Sequence, residues 1–251
     1  MPTDAAPQTA NNPLPWNALA LRLLLTLALP PLLALTSVRL VMTELFVQIE
    51  YQRPGFPADR YGFSRAERLH YAPYAVRYLH NDAGISYLGD LTFPDGSALF
   101  NARELQHMAD VKAVTRVAFQ VHRALLVAAG VSALLLARRR VARRALWRAL
   151  ADGGLITIVL IVVLGVLIVA SWDLFFDSFH ALFFEGDTWV FRTSDTLIRL
   201  FPEQFWFDAA LTVAALTVSG SLLAMLIGWR MERRMDGTQS EAGRDLAIPP
   251  R

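Results

Sequence analysis

The chain is organised around one stretch, residues 171–206, which reads SWDLFFDSFHALFFEGDTWVFRTSDTLIRLFPEQFW. It is dense in aromatic side chains, contains a single histidine, His180, and lies between two long apolar runs. Aromatic side chains with a polar end collect at the boundary between membrane and water. The stretch therefore predicts a segment at the membrane surface that joins two membrane-spanning helices.

Composition places the chain among small membrane proteins. Hydrophobic residues make up 54% of its 251 residues, which is high for a soluble domain. The chain has no cysteine, so thiol nucleophiles, disulfide bonds and thiolate metal sites are all excluded. The basic residues are almost all arginine, and Lys112 is the one lysine.

Four apolar runs predict an all-α membrane protein with four transmembrane helices. The spans are expected at about residues 19–47, 117–137, 154–171 and 207–229. Two polar segments, about 48–112 and 172–206, are predicted to cap the bundle on its extracytoplasmic side. The chain ends are predicted to be disordered tails: residues 1–17 are mostly small and polar and contain four prolines, and residues 236–251 follow the last arginines of the fourth span.

Arginine counts orient the predicted spans. Residues 138–148 contain six arginines and no acidic residue, and three more arginines follow the fourth span. Such runs are typical of cytoplasmic membrane loops, and we prefer that interpretation to nucleic-acid binding. The loop 172–208 carries seven acidic residues against two arginines. We therefore predict that both termini are cytoplasmic.

The first polar segment contains three local signals. Ser64 and Glu67 form a capping-box pattern, which predicts a helix from about Arg65 to His80. The sequence PDGS at 94–97 predicts the turn of a short hairpin between 85–91 and 98–100. Asn101 with Glu104 predicts the start of the long helix that contains the second span.

Two of the five histidines have acidic neighbours at helical spacing. His107 has Glu104 and Asp110 three residues away on either side, and the carboxylates before His180 are Asp177 and Asp173. A carboxylate at that spacing orients an imidazole and fixes its tautomer. Both histidines lie just outside a predicted span on the same side, so they could form an acid–base pair for a substrate at lipid level. The simpler alternative is that both histidines only hold the loops together.

Two sequence blocks carry a family resemblance. They are ELQHMADVK at 104–112 and FHALFF at 179–184, the latter continuing to DTLIRLFP at 195–202. Both resemble the bacterial lipoprotein intramolecular transacylase family, Lit, and the similarity extends over about residues 20–230. The family's two functional histidines match His107 and His180.

The resemblance implies an acyl shift within one diacylglyceryl-modified lipoprotein in the bacterial cell membrane. The sn-2 acyl chain moves to the α-amine of the lipoprotein's N-terminal cysteine and leaves a lyso-form lipoprotein. No cofactor, metal or nucleic acid is implied. We expect contacts of Trp189, Phe176, Phe184 and Arg123 with membrane phospholipid or substrate, and for most of the aromatic residues these contacts would anchor the loop.

Two other functions fit the same residues. The chain could be a non-enzymatic membrane protein that binds a lipid or a partner. It could also be a zinc-dependent membrane hydrolase in which His107, His180 and two carboxylates bind the metal, although the short His-x-x-x-His spacing of many zinc sites is missing.

Overall fold

The computed structural model describes residues 14–184 and 188–245, and most of them are helical. The helices are α1 (Trp16–Val41), α2 (Glu44–Gln52), α3 (Arg65–His80), α4 (Ser86–Gly89), α5 (Ala102–Arg138), α6 (Arg143–Ala170), α7 (Trp172–Phe183), α8 (Thr196–Leu200) and α9 (Glu203–Asp245). A single 3-10 turn, Arg140–Ala142, joins α5 to α6. The predicted all-α fold class is confirmed.

Four helices form the membrane bundle. Helices α1, α5, α6 and α9 are long and apolar enough to cross a membrane, in agreement with the four predicted spans. Helix α1 packs against each of the other three, and α6 packs along α9. Many of their leucine and valine side chains point outward and are exposed, as lipid-facing residues are.

Glycines allow α6 and α9 to approach closely. A methyl group added at Gly154 of α6 would lie 2.7 Å from the carbonyl oxygen of Ser221 in α9. One added at Gly228 of α9 would lie 2.5 Å from the carbonyl oxygen of Trp147 in α6. The backbones are therefore in contact, which is how small residues promote helix association in lipid.

Ion pairs tie the helices together at the arginine-rich end. Arg22 of α1 contacts Asp152 of α6 at 2.8 Å. Arg144 and Arg148 of α6 both contact Glu232 of α9, at 3.2 Å and 2.5 Å. Each of these ion pairs joins two spanning helices near the ends of their apolar segments.

Helices α1 and α9 extend into the two predicted tails. Helix α1 already begins at Trp16, where the N–H groups of Ala18 and Leu19 donate to the carbonyl of Pro15. Helix α9 continues to Asp245, because Asp236 lies one turn after Glu232 and also contacts Arg144. Residues 1–13 and 246–251 lie outside the described residues.

At the end of the bundle opposite the arginines, buried side chains form a hydrophobic core, and we call this part of the molecule the cap. The cap comprises α2, α3, α4, the first three turns of α5, and α8. Its buried side chains include Val47, Tyr51, Leu88, Met108 and Leu200. Lys112 joins α5 to the end of α3, since its ammonium donates to Asn81 and Ala83 and lies 3.8 Å from the Tyr78 ring centre. The start of α5 thus belongs to the cap.

The predicted first span, 19–47, is wrong at its end. Helix α1 stops at Val41, and Thr43 begins a separate helix by accepting a hydrogen bond from the Phe46 N–H. The apolar run continues to Val47 because Phe46 and Val47 are buried in the cap.

The predicted hairpin between 85–91 and 98–100 is also largely wrong. Residues 86–89 form a helical turn, α4, that buries Leu88 completely. Only an isolated antiparallel bridge between Thr92 and Ala98 remains of it. The turn at 94–97 is present, and Gly96 supplies the positive φ of 86° that it requires. The capping boxes at Ser64 and Asn101 both form as predicted.

Candidate active site

His107 projects from the cap part of α5. The helix starts at Asn101, whose side chain accepts hydrogen bonds from the N–H groups of Arg103 and Glu104. This start sets the direction of the first turns, and His107 is buried with 7% of its surface exposed. Its Nδ1 atom is buried without a hydrogen-bond partner.

His180 lies on α7, which follows α6 after the single residue Ser171. Its Nδ1 atom is 2.7 Å from the carbonyl oxygen of Phe176, one turn earlier. A carbonyl oxygen only accepts, so the Nδ1 atom must carry the proton. In the neutral ring this leaves Nε2 with a free lone pair, which is the form of a base.

The two imidazoles come together from helices that are far apart in the sequence. Their ring centres are 6.3 Å apart and the rings are inclined by 25°. The spacing of two predicted helices cannot by itself show that they meet, so the structure adds this proximity.

Aromatic side chains enclose both histidines. Phe176 lies 4.1 Å from the His180 ring centre on one side, and Trp189 lies 4.9 Å away at 28°. His107 is flanked by Phe184 at 5.0 Å and Phe191 at 5.2 Å. The three aromatic residues predicted to contact lipid or substrate, Trp189, Phe176 and Phe184, therefore also line the histidine pair.

Burial keeps both rings neutral. Burial, assisted by the neighbouring His180, lowers the pKa of His107 to about 4, against the opposing effect of Asp110. Burial also lowers the pKa of His180, although the Phe176 carbonyl and Asp177 oppose the shift. At neutral pH each histidine therefore offers one N–H donor and one lone pair.

The four predicted supporting carboxylates occupy different positions. Among the described residues, none of the four hydrogen-bonds a histidine ring. Asp110 accepts from the Gln106 amide at 3.0 Å and acts on His107 through space. Asp177 and Asp173 are exposed on α7. Their orienting roles stay predictions.

Glu104 contacts the start of α8 and not a histidine ring. Its carboxylate accepts hydrogen bonds from the backbone N–H groups of Leu197 at 2.6 Å and Asn101 at 2.7 Å. It thus satisfies an N–H at the start of α8, where Asp195 is the N-cap residue but makes no side-chain cap. No local sequence pattern predicts this contact, because the carboxylate comes from another helix.

Arg123 is not near the histidines. It is exposed on α5 and lies about 24 Å from His107 along the helix axis, at 1.5 Å per residue. Residues that the sequence analysis missed include Phe191 and an ion pair between Arg199 and Asp59 at 3.0 Å. That pair ties α8 to the loop before α3, and no local pattern joins residues so far apart.

The chain is similar in sequence to one curated protein and in structure to several solved structures. An uncharacterised protein of Aquifex aeolicus (strain VF5) is 31% identical over 206 residues, which cover 82% of this chain and 92% of the relative. The solved structure of the membrane integral lipoprotein intramolecular transacylase Lit from Bacillus cereus has a TM-score of 0.70 at 18% identity, and covers 89% of this chain and 99% of that one. A structure of that protein with one histidine replaced by alanine has a TM-score of 0.67 at 19% identity, covering 88% and 96%.

At these low identities the solved structures support the fold alone. The family description "Lipoprotein intramolecular transacylase Lit" matches residues 23–206, which is most of the chain and includes both histidines. The chain therefore belongs to the lipoprotein intramolecular transacylase (Lit) family.

Proposed function

We propose that the chain moves the sn-2 acyl chain of a diacylglyceryl-modified lipoprotein to the α-amine of the same molecule's N-terminal cysteine. Family membership supports action on lipoproteins in general. The observation that carries the specific reaction is the pair of neutral imidazoles 6.3 Å apart within an aromatic enclosure. One neutral imidazole can accept and return the proton that aminolysis of an ester moves, and the other can donate a hydrogen bond to the oxyanion.

In the proposed reaction the amine nitrogen attacks the sn-2 ester carbonyl carbon. The C–N bond forms, and Nε2 of His180 accepts the proton that the amine loses. We assign this role to His180 because its Nδ1–H is held by the Phe176 carbonyl. The C–O bond then breaks, and the sn-2 oxygen takes up that proton from the His180 imidazolium to become a hydroxyl group, which returns His180 to its neutral form.

His107 is the partner that stabilises charge. A neutral imidazole donates one N–H, which we direct to the oxyanion of the tetrahedral intermediate. No serine or cysteine nucleophile is needed, since amine and ester belong to one substrate and their proximity is already given. The aromatic enclosure would exclude water and so favour aminolysis over hydrolysis of the ester.

We place the histidine pair on the extracytoplasmic side, where lipoproteins carry their lipid. The arginine distribution supports this orientation, with both chain ends in the cytoplasm. A reporter enzyme that is active only outside the cytoplasm, fused after residue 245, should be inactive. Activity of that fusion would contradict the orientation.

The test is formation of lyso-form lipoprotein in a host that cannot N-acylate its lipoproteins. Expression of the wild-type chain should yield N-terminal peptides with an N-acyl group and one ester-linked chain, measured by mass spectrometry. The H107A and H180A variants should accumulate in the membrane and lose at least a hundredfold of this product, because acid–base groups contribute about 10²–10⁴ in rate. H70Q is the matched control, because His70 is exposed on α3.

The outcomes separate the alternatives. Wild-type product levels from either histidine variant would overturn the mechanism. Absence of product from a well-expressed wild type would favour a non-enzymatic lipid- or partner-binding protein. Loss of activity on chelation would favour the zinc hydrolase, which the donor arrangement does not support: no three His, Asp or Glu side chains within the described residues are grouped as metal ligands.

A further inference from the structure

Two sets of arginines lie near the turn between α5 and α6, at the end of the bundle opposite the histidines. Arg144 and Arg148 are neutralised by Glu232 and Asp236 on the α9 side. Arg138, Arg139 and Arg140 form no ion pair with any carboxylate among the described residues. Positive charge is therefore left uncompensated where α5 ends.

An open apolar groove lies beside these arginines. It has a volume of about 350 Å³ between the first turns of α1 and the last turns of α5. Leucines line it, including Leu21, Leu24 and Leu135, and Arg139 is part of its wall. Trp16, also in the wall, is 82% exposed at the start of a spanning helix, the depth at which tryptophan meets lipid headgroups.

The start of α1 adds to the positive potential of this end. The helix begins after Pro15 without a side-chain cap, so the positive end of its dipole lies at the groove. This end therefore offers positive charge at the depth of the headgroups and an apolar groove beside it. A molecule with an anionic headgroup and an acyl chain matches both features.

We propose that this groove is a binding site for an anionic phospholipid of the adjacent leaflet. One acyl chain lies along Leu21, Leu24 and Leu135, and the phosphate contacts Arg139. A soluble anion would leave the leucines uncovered, and a zwitterionic headgroup would bring a second cation among the arginines. The site is independent of the proposed reaction, since Arg139 lies about 48 Å from His107 along α5.

The test is native mass spectrometry of the purified full chain with added dioleoyl-phosphatidylglycerol or dioleoyl-phosphatidylcholine. The wild type should retain one phosphatidylglycerol in preference to phosphatidylcholine. R139Q should weaken that binding about fivefold, as expected for one arginine next to an anionic lipid. A20F should abolish it by filling the groove, because Ala20 is part of its wall.

Two control variants separate the site from general effects. R230Q removes an equally exposed arginine at the same end, and A124F adds a ring on an exposed face of α5. Both should bind as the wild type does. Equal retention of the two lipids, or equal loss in R139Q and R230Q, would overturn the proposal. Stronger binding after deletion of residues 1–13 would identify the chain's own N-terminal segment as the occupant and would also overturn it.

Discussion

At the scale of single residues, the properties of His180 depend on its immediate neighbours. The Phe176 carbonyl holds its Nδ1 proton, and the rings of Phe176 and Trp189 lie beside its imidazole. In the reaction we propose, the ring accepts a proton from the substrate amine, and these aromatic faces would stabilise the imidazolium by cation–π attraction. A residue that is neutral at rest is thereby helped to carry a charge during the reaction.

The pKa shifts predict the pH dependence of acyl transfer. Both histidine pKa values are lowered, so the neutral forms persist as the pH falls through about 6.5. The rate should instead follow the substrate amine and fall about tenfold per unit below roughly pH 8. A steeper fall is expected only below pH 6.5, where His180 takes up a proton at its lowered pKa, and where His107 does so near pH 4.

The measurement is the initial rate of the purified enzyme on a synthetic diacylated lipopeptide across this pH range. The H70Q profile should superimpose on that of the wild type. A break to a steeper slope near pH 6.5 would show that the histidine pKa values are not lowered.

Glu104 is expected to contribute to stability and only indirectly to catalysis. In E104Q the amide can accept from only one of the two N–H groups and turns a donor toward the other. The free energy of unfolding should fall by about 1–3 kcal/mol, as expected when a buried polar group is left without its partner. E67Q is the matched control, because Glu67 occupies the same capping-box position on the exposed start of α3.

The measurement is the thermal unfolding midpoint of E104Q and of E67Q in detergent. E104Q should unfold at a clearly lower temperature than E67Q, and its acyl transfer should recover when the fold is stabilised by cooling. Equal midpoints would mean that the hydrogen bonds of Glu104 with Leu197 and Asn101 add nothing to stability.

At the scale of elements, α7 is unusual because it has no buried residue. Leu174 is 67% exposed and Leu182 is 76% exposed, on the side away from His180. The helix follows a spanning helix after one residue, so we expect this apolar side to lie against lipid rather than water. Its other side forms one wall of the histidine enclosure.

The position of α7 is testable with spin labels, since the chain has no cysteine of its own. A nitroxide on L182C in lipid vesicles should collide more with oxygen than with a water-soluble nickel complex. V131C, on an exposed apolar position of α5, is the lipid-facing control, and R65C on α3 is the aqueous control. A label at 182 that behaves like the one at 65 would place α7 in water.

The sequence predicted the elements better than it predicted their contacts. Capping boxes at Ser64 and Asn101 identified two helix starts because their hydrogen bonds are local. The break at Thr43 was missed, since residues that face lipid and residues that face the cap core are equally apolar. The bond from Leu197 to Glu104 joins residues 93 positions apart, and no local pattern encodes it.

At the scale of the whole molecule, the glycine contacts between α6 and α9 hold the bundle together. In G154A the new methyl group would meet the Met225 side chain at 2.6 Å and the Ser221 carbonyl at 2.7 Å. Helices α6 and α9 must then move apart, which should lower the free energy of unfolding by about 1–3 kcal/mol. Gly165, in the same helix, has open space around it.

The two glycines therefore predict different effects of the same substitution on the thermal unfolding midpoint. G154A should lower the thermal unfolding midpoint. G165A should leave it unchanged or raise it, because alanine favours a helix over glycine by about 1 kcal/mol. A stabilised G154A would show that α6 and α9 are not in backbone contact.

The pairing of Arg22 with Asp152 has a consequence for biogenesis. The two residues are 130 positions apart, so at roughly 5–20 residues per second the ribosome needs about 6–26 s to supply the partner. During that interval Arg22 is an unpaired cation in the first apolar segment of the nascent chain, and an unpaired charge in lipid is costly. We expect the translocon to retain the first span near its exit until the third arrives, so that these two spans associate before the second takes its final place.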